Sequence, residues 1–169
     1  ATIKKIYKEY LSSGSRLIGT NTFSSTTIAM ADYKMEAYVY ELNYAGARLA
    51  REACDEITAE DPTQPRFVVG ALGPTNRTGS ISPSVEDSSM RNVTFDELVT
   101  AYYEQVVGLV DGGADVLMEL AAGSTGLDIE FQRAHRNARR ARLRRHPHSV
   151  CVVCAAPTHF PMRECECRE

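Results

Sequence analysis

Apolar residues recur at helical spacing in three stretches of the chain. The first stripe covers residues 2–11, and the second runs from Met35 to Ala53. The third stripe begins just after Thr94-Phe95-Asp96-Glu97, which has the residue types of a capping box, and it continues to Val110. Each stretch therefore predicts an amphipathic helix with one buried face.

Short apolar runs alternate with these helices. They start near residues 17, 67 and 115, and the clearest is Phe67-Val68-Val69-Gly70-Ala71-Leu72. A run that is apolar at every position is typical of a strand buried on both faces. Strands that alternate with helices pair in parallel, so the predicted fold class is α/β. A doubly wound sheet and a (β/α)₈ barrel both fit this pattern.

Polar side chains follow the strands in both architectures, at the edge where α/β folds bind ligands. The three strand ends are Thr20-Asn21-Thr22-Phe23, Gly73-Pro74-Thr75-Asn76-Arg77-Thr78 and Glu119. Hydroxyls, amides and backbone N–H groups suit a small polar ligand, and the Glu119 carboxylate suits an ammonium group or a base. Asn and Thr serve equally well as turn caps, so a structural role for them stays open. The chain has no phosphate-binding loop, dinucleotide fingerprint, serine elbow or HExxH motif, which disfavours those enzyme classes.

Composition divides the chain near residue 120. The 169 residues are 43% hydrophobic and 24% charged, the balance of a soluble globular protein. Residues 1–120 carry 10 Lys and Arg against 17 Asp and Glu, whereas residues 121–169 carry 9 Arg, no Lys and 5 acidic residues, which together give the net charge of -3. We therefore expect one folded domain over residues 1–120 and a basic tail rich in Arg, Cys and His over residues 121–169.

The tail is expected to be disordered. Its Arg-only basic composition suggests a segment read in another frame or left unspliced. Cys151-Val152-Val153-Cys154 has the spacing of a zinc knuckle, but Cys165-Glu166-Cys167 is a poorer second half, and we expect no metal there. The arginines of residues 136–145 can contact phosphates, yet no aromatic residues are interleaved with them to stack on bases, so nucleic acid is not the expected partner.

Four segments carry a resemblance to a known family. They are residues 20–26, residues 67–78, Ser80-Ile81-Ser82-Pro83 and residues 91–98. With the sequence between them they resemble the N-terminal, homocysteine-binding module of cobalamin-dependent methionine synthases, within the homocysteine S-methyltransferase family. The likeness runs from about residue 4 to residue 118 without large gaps.

The resemblance implies a (β/α)₈ TIM-type barrel, of which this chain holds an incomplete part of about three βα units. In the parent enzyme a methyl group passes from methyltetrahydrofolate through cobalamin to zinc-bound homocysteine, giving methionine; zinc lowers the pKa of the thiol. By position, six residues line the substrate mouth: Thr20, Asn21, Gly73, Pro74, Thr75 and Glu119. The family's zinc cysteines lie on later strands, so the resemblance assigns no catalytic residue and no metal ligand to this chain.

The family resemblance and the composition together indicate the expected partners and cellular location. The parent enzyme is a methyltransferase that binds homocysteine and works with folate and cobalamin modules; we expect this fragment alone to be inactive and to hold neither zinc nor cobalamin tightly. No apolar run reaches the length of a membrane helix, and five cysteines without a disulfide framework suit a cytoplasmic protein. The alternative is an inactive truncated product whose basic tail binds nucleic acid or another protein.

Overall fold

The computed structural model describes residues 2–77, 82, 84–87, 89–119 and the strand at 151–154. In chain order its elements are α1 Thr2–Ser12, β1 Leu17–Gly19, α2 Thr27–Met30, α3 Val39–Glu60, β2 Phe67–Leu72, α4 Phe95–Asp111, β3 Val116–Glu119 and β4 Cys151–Cys154. Two single turns of 3₁₀ helix, Ala31–Tyr33 and Glu36–Tyr38, lie between α2 and α3. The three predicted long helices and the three predicted strands are all present.

The strands form one parallel sheet in the order β1-β2-β3-β4. Ile18 pairs with Val68, and Gly70 pairs with Leu117, so each strand meets the next one along the chain. The parallel α/β prediction is confirmed. Within the described residues the sheet is open, and the closed barrel implied by the resemblance stays a prediction.

Strand β4 differs from the sequence prediction, which expected a disordered tail. Its four residues pair in parallel with β3, Leu117 opposite Val152. Two β-branched valines favour extended backbone, and the edge of β3 offers free N–H and C=O groups with which to pair. The other tail residues, including the arginine cluster and Cys165-Glu166-Cys167, lie outside the described residues.

One face of the sheet packs against the helices. A Cβ atom added to Gly70 would lie 2.9 Å from a Leu117 methyl and 3.2 Å from a Leu109 methyl, so α4 covers β2 and β3 closely. The core on this face joins all three long helices to the sheet, and its largest members are Leu11, Val68, Leu72, Leu98, Val106, Leu109 and Leu117. The three long helices and the sheet therefore share one core.

Glycine permits a close approach of α4 to α3. A Cβ atom on Gly108 would lie 2.8 Å from the Tyr40 carbonyl oxygen and 2.9 Å from the Asn43 Cβ atom. Gly112, one turn further, faces the α3 backbone in the same way. Side chains at these two positions would separate the helices, which explains why the apolar stripe of α4 contains glycine.

Ion pairs join α1 to α3 and α3 to the beginning of β3. The Lys4 ammonium lies 2.9 Å from Glu52 and 2.7 Å from Glu56, which joins α1 to α3; hydrogen bonds to Glu56 and then Glu52 raise the pKa of Lys4. At the start of β3, the Asp115 carboxylate accepts hydrogen bonds from Arg51 and from the Val68 backbone N–H, both at 2.7 Å. These contacts align the helices and the strand beginnings.

No helix in the described part of the chain has the length and apolar character needed to cross a membrane.

We expect Gly108→Ala to lower the free energy of unfolding by about 2 kcal/mol, because the added methyl overlaps backbone atoms of α3 that cannot rotate away. Gly19→Ala is the matched control, since a Cβ atom there meets no described atom within 4 Å. Urea unfolding of both variants measures the difference. Equal stability of the two variants would contradict the close helix contact.

Candidate functional site

The carboxyl ends of the first three strands lie together at one edge of the sheet. Residues 20–26 follow β1 and residues 73–77 follow β2. Glu119 is the last residue of β3, and it lies opposite Leu72, the last residue of β2, in the pairing of the two strands. The structure therefore brings the segments of all six predicted site residues to one edge.

Two threonine hydroxyls continue the pairing of β1 with β2 beyond the strand. The Ala71 N–H donates to the Thr20 hydroxyl at 3.0 Å, and the Thr22 hydroxyl donates to the Ala71 carbonyl at 2.9 Å. The two hydroxyl oxygens are 2.6 Å apart. Since the Thr22 proton goes to Ala71, Thr20 must be the donor between the two hydroxyls. Thr20 is thus buried and already bonded, so it shapes the edge rather than offering a free hydroxyl proton.

Asn21 is held by a tyrosine of α1. The Tyr7 hydroxyl donates to Asn21 Oδ1 at 3.1 Å and accepts the Asn21 backbone N–H at 3.0 Å. Burial raises the pKa of Tyr7, which keeps this hydroxyl protonated and able to donate. The amide oxygen of Asn21 is therefore occupied, and the exposed side chain has its Nδ2 group left as a hydrogen-bond donor.

Gly73 and Phe23 join the two loops. The Gly73 N–H donates to the Phe23 carbonyl at 2.9 Å, and the Tyr102 hydroxyl donates to the Gly73 carbonyl at 3.0 Å. A Cβ atom on Gly73 would lie 2.6 Å from three carbons of the Phe23 ring. The ring, 43% exposed, thus lies over the glycine at the edge. Sequence reasoning included Phe23 in the strand-end segment but not among the site residues.

The loop after β2 turns back on itself. Thr75 is buried, and its hydroxyl donates to the Arg77 carbonyl at 2.5 Å, whereas Pro74 is exposed. Asn76 Nδ2 donates to Asp32 at 2.6 Å, which attaches this loop to the 3₁₀ turn after α2. Of the predicted residues in this loop, Thr75 has a bonded, structural side chain and Pro74 is open to a ligand.

A groove of about 500 Å³ lies nearby, between α2 and the first turn of α4. It contains the side chains of Arg77, Asp96 and Glu97, and none of the six predicted residues lines it. Glu97 completes the predicted capping box: the Thr94 backbone N–H and hydroxyl donate to its carboxylate, which lowers its pKa. The groove is therefore next to the predicted site and separate from it.

The described residues do not fit a zinc ion. Among them no three His, Cys, Asp or Glu side chains are grouped as metal ligands. Cys54 lies in the core on α3, and burial raises the pKa of its thiol to about 11. The described side chains therefore show no zinc site, and the cysteine side chains of β4 lie outside the described ones.

Two buried amides under the β1 loop were missed by sequence reasoning. Gln105 of α4 donates to the Thr22 carbonyl at 2.7 Å, and Asn43 of α3 donates to the Ser25 carbonyl at 2.8 Å. The contacts join residues 83 and 18 positions apart, so no local pattern reveals them. A polar residue within an apolar helical stripe was the only available signal.

A sequence model described as homocysteine S-methyltransferase matches residues 1–126. The chain belongs to the homocysteine S-methyltransferase family. Its match covers both loops described above and all of β3, and it confirms the family resemblance seen in the sequence. A domain of the homocysteine methyltransferase type is thus present, in part.

Solved structures agree at the level of the fold. The chain is similar to the metallated homocysteine methyltransferase MmuM of Escherichia coli, with a TM-score of 0.58 and 22% identity over 82% of this chain and 46% of that one. The oxidized form matches with a TM-score of 0.59 and 22% identity, over 84% and 47% of the two chains. The apo form matches at 0.58 and 18%, over 92% and 48%. The chain thus spans about half the length of these methyltransferases.

We expect Gly73→Ala to displace the Phe23 ring, at a cost of about 1 kcal/mol in the free energy of unfolding, because a half-exposed ring can rotate away. In a Phe23→Ala background the same substitution should cost almost nothing. Urea unfolding of the four proteins gives this coupling. An equal loss in both backgrounds would show that the ring does not lie on the glycine.

We expect Cys54 to resist alkylation by iodoacetamide at pH 8. With a pKa of about 11 its thiolate fraction is roughly two hundred times lower than that of an unfolded cysteine with a pKa near 8.5. Peptide mass mapping of the native chain, with the chain in guanidinium as the control, measures the rate. Native Cys54 reacting as fast as the denatured thiol would contradict its burial.

The raised pKa of Cys54 also predicts how stability depends on pH. The neutral thiol is favoured by the fold, so this contribution is complete below about pH 8.5 and is lost as the pH rises toward 11. In urea unfolding from pH 8 to 11, the free energy of unfolding of Cys54→Ala should therefore fall less with rising pH than that of the wild type. An unchanged pH profile in Cys54→Ala would overturn this assignment.

Proposed function

We propose that this chain binds homocysteine at the carboxyl edge of its sheet, as part of a methyltransferase that methylates the homocysteine sulfur to give methionine. Membership of the family supports the substrate. The observation that carries the proposal is the joining of two loops at one edge, where Thr22 bonds to Ala71 and Gly73 bonds to Phe23. Because the loops are already joined, their polar groups are in place before a ligand binds. Less conformational entropy is then lost on binding.

The edge suits the amino-acid end of the substrate. Homocysteine carries a carboxylate and an ammonium group at one end and a thiol at the other. The Nδ2 group of Asn21 is a donor for the carboxylate, and its direction is set by Tyr7. Glu119, at the end of β3, has the charge to accept the ammonium group. Thr20 and Gly73 hold the two loops of this edge together, Thr75 closes the turn of the second loop, and Pro74 is exposed to the ligand there.

The methyl donor is a separate part of the proposal. The motif likeness over residues 67–78 supports a cobalamin-dependent methionine synthase, in which cobalamin supplies a methyl group taken from methyltetrahydrofolate. Zinc would activate the thiol of homocysteine. Side chains beyond those described would hold the ion, because no described side chains are grouped as its ligands. This chain's own contribution is then to bind and orient the substrate, next to the folate and cobalamin modules of the complete protein.

Titration of the isotope-labelled chain with homocysteine tests the binding. We expect a dissociation constant of about 1–10 mM, since only part of the site is present, and shifts at the amides of Asn21, Phe23 and Gly73. Residues 61–66, at the opposite edge, should not shift. Propanethiol, which has the sulfur without the charged groups, should produce no shifts at these three amides.

A matched pair of variants completes this test. Asn21→Ala should weaken homocysteine binding about tenfold or more, the size expected for one hydrogen bond to a charged group. Thr63→Ala, an exposed residue at the other edge, should leave it unchanged. Binding that is insensitive to Asn21→Ala, or shifts confined to residues 61–66, would contradict the proposed site.

A further inference from the structure

The turn that follows β1 lies in a notch between two helices. Residues 22–25 form this turn, closed by the Ser25 N–H donating to the Thr22 carbonyl at 3.0 Å. On the α3 side, a Cβ atom on Gly46 would lie only 2.8 Å from the Thr22 methyl, so the turn sits directly on that helix. On the α4 side, the side chain of Gln105 reaches the Thr22 carbonyl.

One buried amide from each helix holds one end of the turn. Gln105 Nε2 donates to the Thr22 carbonyl at 2.7 Å, and Asn43 Nδ2 donates to the Ser25 carbonyl at 2.8 Å. Both side chains are 0% exposed. The two side chains come from different helices, and both donate to backbone carbonyls of the same four-residue turn.

Both amides leave their oxygen atom without a hydrogen-bond partner among the described residues. A buried acceptor in this state is unfavourable, and native structures keep few of them. The Thr22 carbonyl does not require Gln105 either, since it already accepts the Ser25 N–H. An apolar side chain at position 105 would therefore fill the space without leaving any backbone group unsatisfied.

The Thr22 carbonyl does not need the hydrogen bond from Gln105, and burying the unpartnered Gln105 oxygen is unfavourable. A side chain of this kind is better explained by a role in positioning the turn than by a role in stability. The turn it holds contains Phe23 and adjoins Asn21, both at the proposed ligand edge. Neither Gln105 nor Asn43 is exposed, so neither touches a ligand itself. Their effect must pass through the backbone of the turn.

We propose that Asn43 and Gln105 are positioning residues that hold the turn of residues 22–25 in its ligand-binding geometry. This inference rests on the proposed function for the identity of the ligand. The claim that the two amides fix the turn depends only on their observed hydrogen bonds. The two parts can therefore fail separately.

Gln105→Met tests the proposal, because methionine keeps the volume and removes both the donor and the unpartnered oxygen. We expect an unchanged or higher melting temperature, together with amide exchange of Ser25 that is at least about tenfold faster. At a fixed homocysteine concentration, the induced shifts at Asn21 and Phe23 should fall to about a third or less. A residue that merely stabilised the fold would lower the melting temperature and leave this turn no more affected than other segments.

Thr58→Val is the matched control, since it removes a hydrogen bond from the Arg66 N–H at the opposite edge. It should lower the melting temperature and leave Ser25 exchange and the homocysteine shifts unchanged. If Gln105→Met does not fold, Asn43→Ala takes its place; failure of both to fold would overturn a positioning role in favour of a structural one.

The outcomes separate the two proposals. Unchanged Ser25 exchange in Gln105→Met overturns the inference, whether or not homocysteine binds. Faster exchange at Ser25 in a chain whose wild type shows no homocysteine shifts supports the positioning of the turn and overturns the proposed ligand. Faster exchange with undiminished homocysteine shifts overturns the claim that the position of this turn matters for binding.

Discussion

The pairing of β1 with β2 does not stop where the strands end, and the whole carboxyl edge depends on this. Beyond the last backbone pair, the Thr20 hydroxyl accepts the Ala71 N–H and the Thr22 hydroxyl donates to the Ala71 carbonyl. The Gly73 N–H then reaches the Phe23 carbonyl. Side chains thus replace backbone groups in the ladder for one further step. As a result, two loops that are far apart in sequence have one fixed geometry.

The helices support this edge from behind. Tyr7 of α1 fixes Asn21, while Asn43 of α3 and Gln105 of α4 hold the next turn. These contacts require α3 and α4 to lie close together, which Gly108 permits. At the beginning of β3, the ion pair between Arg51 and Asp115 holds α3 against the sheet. The polar edge of the sheet is therefore held in place by all three long helices, and each helix contributes a hydrogen bond to it.

Local patterns predicted the elements well because their causes are local. The capping box at Thr94 and the uninterrupted apolar run of β2 each depend on neighbours in sequence, and both are observed. The start of α3 was predicted at Met35 but lies at Val39, because a 3₁₀ turn occupies Glu36–Tyr38. Short turns of this kind have too few residues to show a period.

The site was predicted less completely, because its contacts are long-range. Sequence reasoning placed Thr20 and Thr75 at the carboxyl edge of the sheet, where they lie, but it did not show that their hydroxyls are bonded within the protein. It also missed Phe23 and Gln105, whose roles depend on residues far away in sequence. Ligand contacts by the six chosen residues, the cytoplasmic location, the cobalamin and folate partners and the nucleic-acid alternative all stay predictions, the last because the arginine-rich segment lies outside the described residues.

The most direct test of the extended ladder is amide exchange in Thr22→Val. Valine keeps the shape of threonine and removes the hydroxyl that bonds to Ala71. We predict that the Gly73 amide, protected in the wild type like the strand amide of Val69, loses most of that protection while Val69 keeps it. Gly73 protection that is equal in both proteins would contradict the claim that the threonine hydroxyls hold the two loops together.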